Sequence, residues 1–209
     1  MDRLSALDTA VAAFGQRLLA IEPEQWSKGT TCEEWTVREL VDHVLRTNIA
    51  YALLLDGVAW ADVKAKLPIN ALGLDPLVRY REGAAHLMAA FRRPPAVEVV
   101  YDHPVRSMSR SDILDYRIFD VAVHAWDLAR SIGVDDQLDD DLVAIALAGL
   151  QPIAKRLHHS GALGQSPSGG LPDGASAQTQ LLDLSGRKPS QMIRIPDRVR
   201  GARFTATAE

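Results

Sequence analysis

An all-α fold is what this sequence predicts: a four-helix bundle with additional helices towards the carboxy terminus and an irregular tail. Three observations predict it. Apolar residues recur at three- and four-residue spacing along five long stretches, no alternating strand pattern of comparable length competes, and short connections carrying helix start and stop signals join the stretches. A chain of 209 residues with 47% hydrophobic content has enough apolar area for one core. Residues 1–185 are therefore expected to form a single helical domain, and residues 186–209, which lack a helical period, an irregular tail.

The first helix is expected near 2–21. The second, near 36–56, opens with Thr36-Val37-Arg38-Glu39, where the Thr hydroxyl and the Glu carboxylate can satisfy each other's free backbone N–H groups. A third spans about 74–92. Pro94-Pro95 ends it, and Val97-Glu98-Val99-Val100-Tyr101 reads as an extended segment too short to make a sheet. The helix near 110–132 starts at Ser109 or Ser111 and stops at Gly133, and the next, near 139–159, starts after an acidic run that suits a helix amino end. The Gly-, Ser- and Pro-rich stretch 160–174 is a loop, and a short helix follows near 175–185.

Composition narrows the function. The net charge is −4, and no cluster of Lys and Arg with interleaved aromatics is present, which argues against nucleic acid as a partner. Cys32 is the only cysteine, so no intrachain disulfide can form, and it reads as a packed or partly exposed thiol. The first residues lack the basic start and apolar run of a secretory signal, and no apolar run reaches membrane-spanning length. A cytoplasmic protein without a membrane segment is the expectation.

The helix near 110–132 carries the chemistry. Along Arg117-Ile118-Phe119-Asp120-Val121-Ala122-Val123-His124-Ala125-Trp126-Asp127-Leu128 nearly every position is apolar except one stripe. At about 100° per residue, Asp120, His124 and Asp127 fall within about 60° of one another. The stripe has two readings, a solvent face bearing an ordinary Asp–His pair or two donors for one ion, since side chains four apart lie about 5–6 Å apart at Cβ. A third donor must then come from elsewhere. His43, on the edge of the second helix's apolar face, is the best candidate, and otherwise reads as a boundary histidine. His86, His103, His158 and His159 have no partner at ligand spacing. Asp127 is either an acceptor for an imidazole N–H or a surface pairing group.

Thr31-Cys32-Glu33-Glu34-Trp35-Thr36-Val37-Arg38-Glu39-Leu40-Val41-Asp42-His43-Val44, followed by Asp120-x-x-x-His124-Ala125-Trp126-Asp127-Leu128-Ala129, resembles the metal-binding domain of the mycothiol-dependent maleylpyruvate isomerase family, within the DinB-like group of four-helix bundles. The resemblance spans roughly residues 1–185 and continues into Leu181-Leu182-Asp183-Leu184-Ser185-Gly186-Arg187-Lys188-Pro189. It implies that His43, Asp120 and His124 bind a divalent metal. The isomerase has Glu where this chain has Asp120. It also has a separate carboxy-terminal domain contributing to its substrate site, which the residues after 185 are too few to supply.

Two imidazoles and a carboxylate leave a fourth position open on a tetrahedral zinc, as at catalytic sites, and the same donors admit nickel or iron(II). The resemblance implies a small-molecule thiol, mycothiol, attacking an electrophilic substrate in an isomerase or S-transferase reaction. Arg46, Arg117 and Tyr116 are the nearest groups in sequence for orienting an anionic substrate or the thiol's carboxylate, and Asn48 either bonds within the core or faces the cavity. Two alternatives stay open: a non-catalytic metal-binding or sensing module, marked by a closed fourth position or an apolar groove for a protein partner, and a hydrolase using metal-activated water, marked by activity without thiol. A homodimer is equally left open.

Overall fold

The computed structural model describes residues 1–32, 34–93, 99–103, 106–163 and 167–188. Four long helices form the bundle: α1 (Arg3–Leu19), α2 (Val37–Leu55), α4 (Pro76–Arg92) and α5 (Arg110–Ile132). A seven-residue helix, α3 (Trp60–Lys66), bridges α2 and α4, and α6 (Asp140–Leu150), α7 (Ala154–His159) and α8 (Ala177–Leu184) follow. α1 packs on α5 and α4, α2 on α4 and α5, and α6 on the other flank of α5 with α8 outside it. This is the expected all-α bundle.

The departures have local causes. The helix expected at 139–159 is two, because Pro152 has no N–H to donate and its ring clashes with the preceding turn. α3 gave no start signal, and its amino end has no side-chain cap. The extended segment does pair: Val100–Tyr101 (β1) lies antiparallel to Met108–Ser109 (β2), with Val100 opposite Ser109 and Tyr101 opposite Met108. Expectations for 94–98 and for the tail from 189 onward fall outside the described residues.

α5 is the axis of the molecule. Ser109 caps it by accepting from the Asp112 N–H while Asp112 accepts from the Ser109 N–H, and Gly133 ends it in the left-handed region at φ 77°. Ile113, Ile118 and Leu128 have no exposed surface, each burial stabilising the fold by about 1.5–3 kcal/mol. Trp126, Phe14 and Tyr80 are among the largest fully buried side chains, and the Tyr80 hydroxyl donates to the Val11 carbonyl at 2.9 Å. Neighbours surround α5, so its polar stripe cannot be a solvent face: Asp127 is 0% and His124 5% exposed.

Candidate metal centre

Two capped helices and one loop build the site. The Thr36–Glu39 box starts α2 and sets His43 in its second turn, with Glu39 accepting from the Thr36 N–H at 2.9 Å. In the preceding loop, Thr30 accepts from the Cys32 N–H at 3.1 Å and donates to the Trp35 carbonyl at 3.0 Å. That closure lays the Trp35 ring on His43, centroid to centroid 4.7 Å. α5 supplies Asp120, His124 and Asp127 from one face.

Donor atoms of His43, Asp120 and His124 all lie within 4.8 Å of one another. The imidazoles of His43 and His124 meet edge-on, centroids 5.0 Å apart, and His124 Nε2 stands 3.6 Å from Asp120 Oδ1. The other Asp120 oxygen accepts from Arg117 Nη1 at 2.5 Å. Arg117 has no exposed surface, donates through Nη2 to Asn48 Oδ1 at 2.8 Å, and stacks over the Tyr51 ring at 5.0 Å. Arg117 therefore ties up one oxygen of the Asp120 carboxylate and leaves the other facing His124.

His124 Nδ1 lies 2.9 Å from Asp127 Oδ2, so Asp127 is the imidazole's acceptor rather than a surface group. Asp127 also accepts from Thr31 Oγ1 at 2.5 Å and from Arg187, whose Nη2 and Nε lie 3.0 and 3.3 Å from Oδ2 and Oδ1. Cys32 Sγ donates to Asp127 Oδ2 at 3.3 Å and sits 3.4 Å from Arg187 Nη2. Cys32, His124 and Asp127 thus form a second group of donors within 4.8 Å, sharing His124 with the first.

The electrostatics follow. Burial, reinforced by the nearby charges of His124 and Arg117, holds His43 down at about 4, the neutral form that can donate a lone pair. Burial would lower His124 too, but Asp120 and Asp127 outweigh it and push the group up to about 10. Burial alone would raise both carboxyls; Arg117, His124 and His43 keep Asp120 below its usual range, and Arg187 with His124 does the same for Asp127.

The donors line a cavity of about 690 Å³. Trp35, Tyr116, Phe119, Val123 and Leu163 give it an apolar wall, and Thr31, Cys32, Glu34, Ser185 and Arg187 add polar groups. The sequence reading set Arg46 towards the site, but its guanidinium is committed to Asp42 at 2.6 Å and the Ile69 carbonyl at 2.9 Å, away from the cavity wall. Arg117 lies beneath Asp120 rather than open to a ligand, and Asn48, 0% exposed, bonds within the core. Of the other histidines, His86 pairs with Asp56 at 2.7 Å, His103 bonds the Tyr51 hydroxyl at 2.8 Å and His158 the Leu184 carbonyl at 2.9 Å. Sequence reasoning missed Arg187 and the role of Cys32; the only signal was the place of Arg187 in the Leu181–Pro189 block that carries the family resemblance.

Residues 7–129 match the family described as the mycothiol maleylpyruvate isomerase N-terminal domain. Uncharacterized proteins from two strains of Mycobacterium tuberculosis are each 28% identical over 153 residues, covering 73% of this chain and 80% of theirs. Among solved structures, a histidine-to-alanine mutant of mycothiol-dependent maleylpyruvate isomerase is similar in fold, with a TM-score of 0.56 at 20% identity over 78% of this chain and 72% of the other.

Proposed function

Because this chain belongs to the mycothiol maleylpyruvate isomerase N-terminal domain family, we propose that it is a divalent-metal, thiol-dependent enzyme, an isomerase or S-transferase that acts on a small electrophilic substrate in the cytoplasm with a thiol of the mycothiol type. The observation that carries this reading is the convergence of His43, Asp120 and His124 at the wall of a 690 Å³ cavity. The residues fit a divalent ion. His43 is held neutral, and its ring nitrogens make no hydrogen bond among the described residues; His124 is turned by Asp127 so that Nε2 faces Asp120. Zinc is the first assignment, with nickel and iron(II) satisfied by the same donors. When bound, such an ion supplies Lewis acidity that favours the anionic form of an added thiol.

The chain's own residues do the rest. Asp127 fixes the His124 ring, and Arg117 leaves one Asp120 oxygen free towards the histidines. Trp35, Phe119, Val123 and Leu163 exclude water from one side of the cavity and suit an apolar electrophile. Thr31, Glu34 and Ser185 give the cavity wall its polar character towards a hydroxyl- or amide-rich thiol.

The test uses protein purified without an affinity tag, analysed for metal and reloaded with cobalt(II). About one ion per chain is expected, and a saturating small thiol should bring up a sulfur-to-cobalt charge-transfer band with release of a proton. Asp120→Ala should lose the metal, whereas Asp120→Glu should keep it. No divalent ion bound after reloading would remove the metal reading; a bound ion whose spectrum ignores the thiol would remove the thiol chemistry.

A further inference from the structure

Two donor groups overlap at His124, and they compete for the same imidazole. One is His43, Asp120 and His124; the other is Cys32, His124 and Asp127. The second has the ligands a soft-to-borderline ion such as zinc prefers, a thiol among them. What separates the two is how far a cation already occupies each: Arg117 takes one oxygen of Asp120, whereas Arg187 takes both oxygens of Asp127 and reaches Cys32 as well. Arg187 reaches in from beyond α8, where the chain turns through Gly186 at φ 78° and Arg187 Nη1 donates to the Ser185 carbonyl at 2.8 Å. Its Nε and Nη2 take both oxygens of Asp127, and Nη2 lies beside Cys32 Sγ. Arg187 is only 8% exposed, so a metal ion cannot join Asp127 and Cys32 without expelling its guanidinium. Around His43 and Asp120 the obstacle is smaller: Arg117 holds only Oδ2 of Asp120, and Oδ1 is the oxygen 3.6 Å from His124 Nε2.

We propose that Arg187 is a positioning residue that decides which of the two donor groups holds the metal, by occupying the Cys32–His124–Asp127 group with its own charge and so directing the ion to His43, Asp120 and His124. It acts through Asp127: the two-pronged contact fixes the carboxylate plane, Oδ2 then accepts a hydrogen bond from His124 Nδ1–H, and Nε2 is left for the other group. Arg187 lies well outside the residues 7–129 that match the family, so the match itself says nothing of it. The inference rests on the metal reading above, and the experiment separates the two.

Cobalt(II) is the probe, with no thiol added. Wild-type protein should show no sulfur-to-cobalt band, and His43→Ala should weaken its cobalt affinity at least about 10-fold. Arg187→Met should acquire the band, lose it again in Arg187→Met with Cys32→Ser, and keep its cobalt in Arg187→Met with His43→Ala, because the ion has moved to the other group. Arg187→Lys, which retains a positive charge, should resemble wild type, and Arg187→Gln, which keeps amide donors without the charge, should behave as Arg187→Met if the latter does not fold. A band in wild-type protein, or Arg187→Met and Arg187→Gln spectra matching wild type with cobalt bound, overturns the proposal. Should wild type bind no cobalt, the metal reading fails by itself. Arg187 then keeps its excluding role only if Arg187→Met gains a Cys32-dependent site, and loses it otherwise.

Discussion

Arg117 and Asp120 form a charged pair at 2.5 Å with 0% and 12% of their side chains exposed, and removing either partner strands the other's charge away from water. Arg117→Met should cost about 3–5 kcal/mol in metal-free protein, measured by urea denaturation. Zinc should recover part of that loss if Asp120 is a ligand, because the ion then supplies the missing countercharge; an equal deficit with and without zinc counts against Asp120. His43→Ala and His124→Ala should each abolish tight metal binding, while His86→Ala, whose imidazole is spent on Asp56, should leave it unchanged in a chelator competition. The reverse pattern would move the site. The convergence of His43, Asp120 and His124 was readable in the sequence because two share a helix face and the third follows a cap that fixes its turn. Arg187 was not, because 60 residues separate it from Asp127 and no periodicity links them. Arg46 was misplaced because closeness in sequence to a ligand says nothing about which side of the helix faces it; its own i−4 neighbour Asp42 holds it.

At the scale of the element, α5 owes its place to its two ends. Asp112 at the amino end accepts from Arg106 and from the Ser109 N–H, and the Arg106 contact above all holds its carboxyl down to about 2 from an ordinary 3.8. A carboxyl lowered on folding stabilises fully above its unfolded value and loses that contribution as pH falls through the folded one. Asp112→Asn should therefore cost about 1 kcal/mol near neutral pH, a modest figure because the side chain is 35% exposed. The deficit relative to wild type should shrink between pH 4 and pH 2. A deficit that stayed constant over that interval would assign the effect to shape rather than charge. At the other end, nothing lies within 4 Å of where a Gly133 Cβ would sit, so Gly133→Ala pays only for its φ of 77°, about 1 kcal/mol in thermal or urea unfolding. Both ends of α5 were legible because caps use particular residue types. The break between α6 and α7 was underread at Pro152, and α3 went unread because its amino end has no side-chain cap.

For the whole molecule, the bundle and the late helices divide the labour unevenly. α1, α2, α4 and α5 build most of the core, with α2 and α5 presenting every donor of the first group, while α8 packs on α6 and delivers Ser185, Gly186 and Arg187 to the cavity. A chain ended after Gly174 should keep its helical circular dichroism yet unfold at lower urea, since Leu181 and Leu182, 0% and 2% exposed, each lose about 1.5–3 kcal/mol of burial. An unchanged midpoint would make α8 an ornament. The all-α architecture followed from the apolar spacing, whereas the return of residues 185–187 to α5 depends on a left-handed glycine and an ion pair that local patterns do not encode. That return also has a consequence in time. A ribosome that has completed Asp127 must add 60 further residues before Arg187 exists, and throughout that interval Thr31, Cys32 and His124 are the only groups of this cluster already made to face the carboxylate. A nascent chain meeting metal too early would thus encounter a softer, sulfur-bearing trap, which is blocked only when Arg187 docks behind α8.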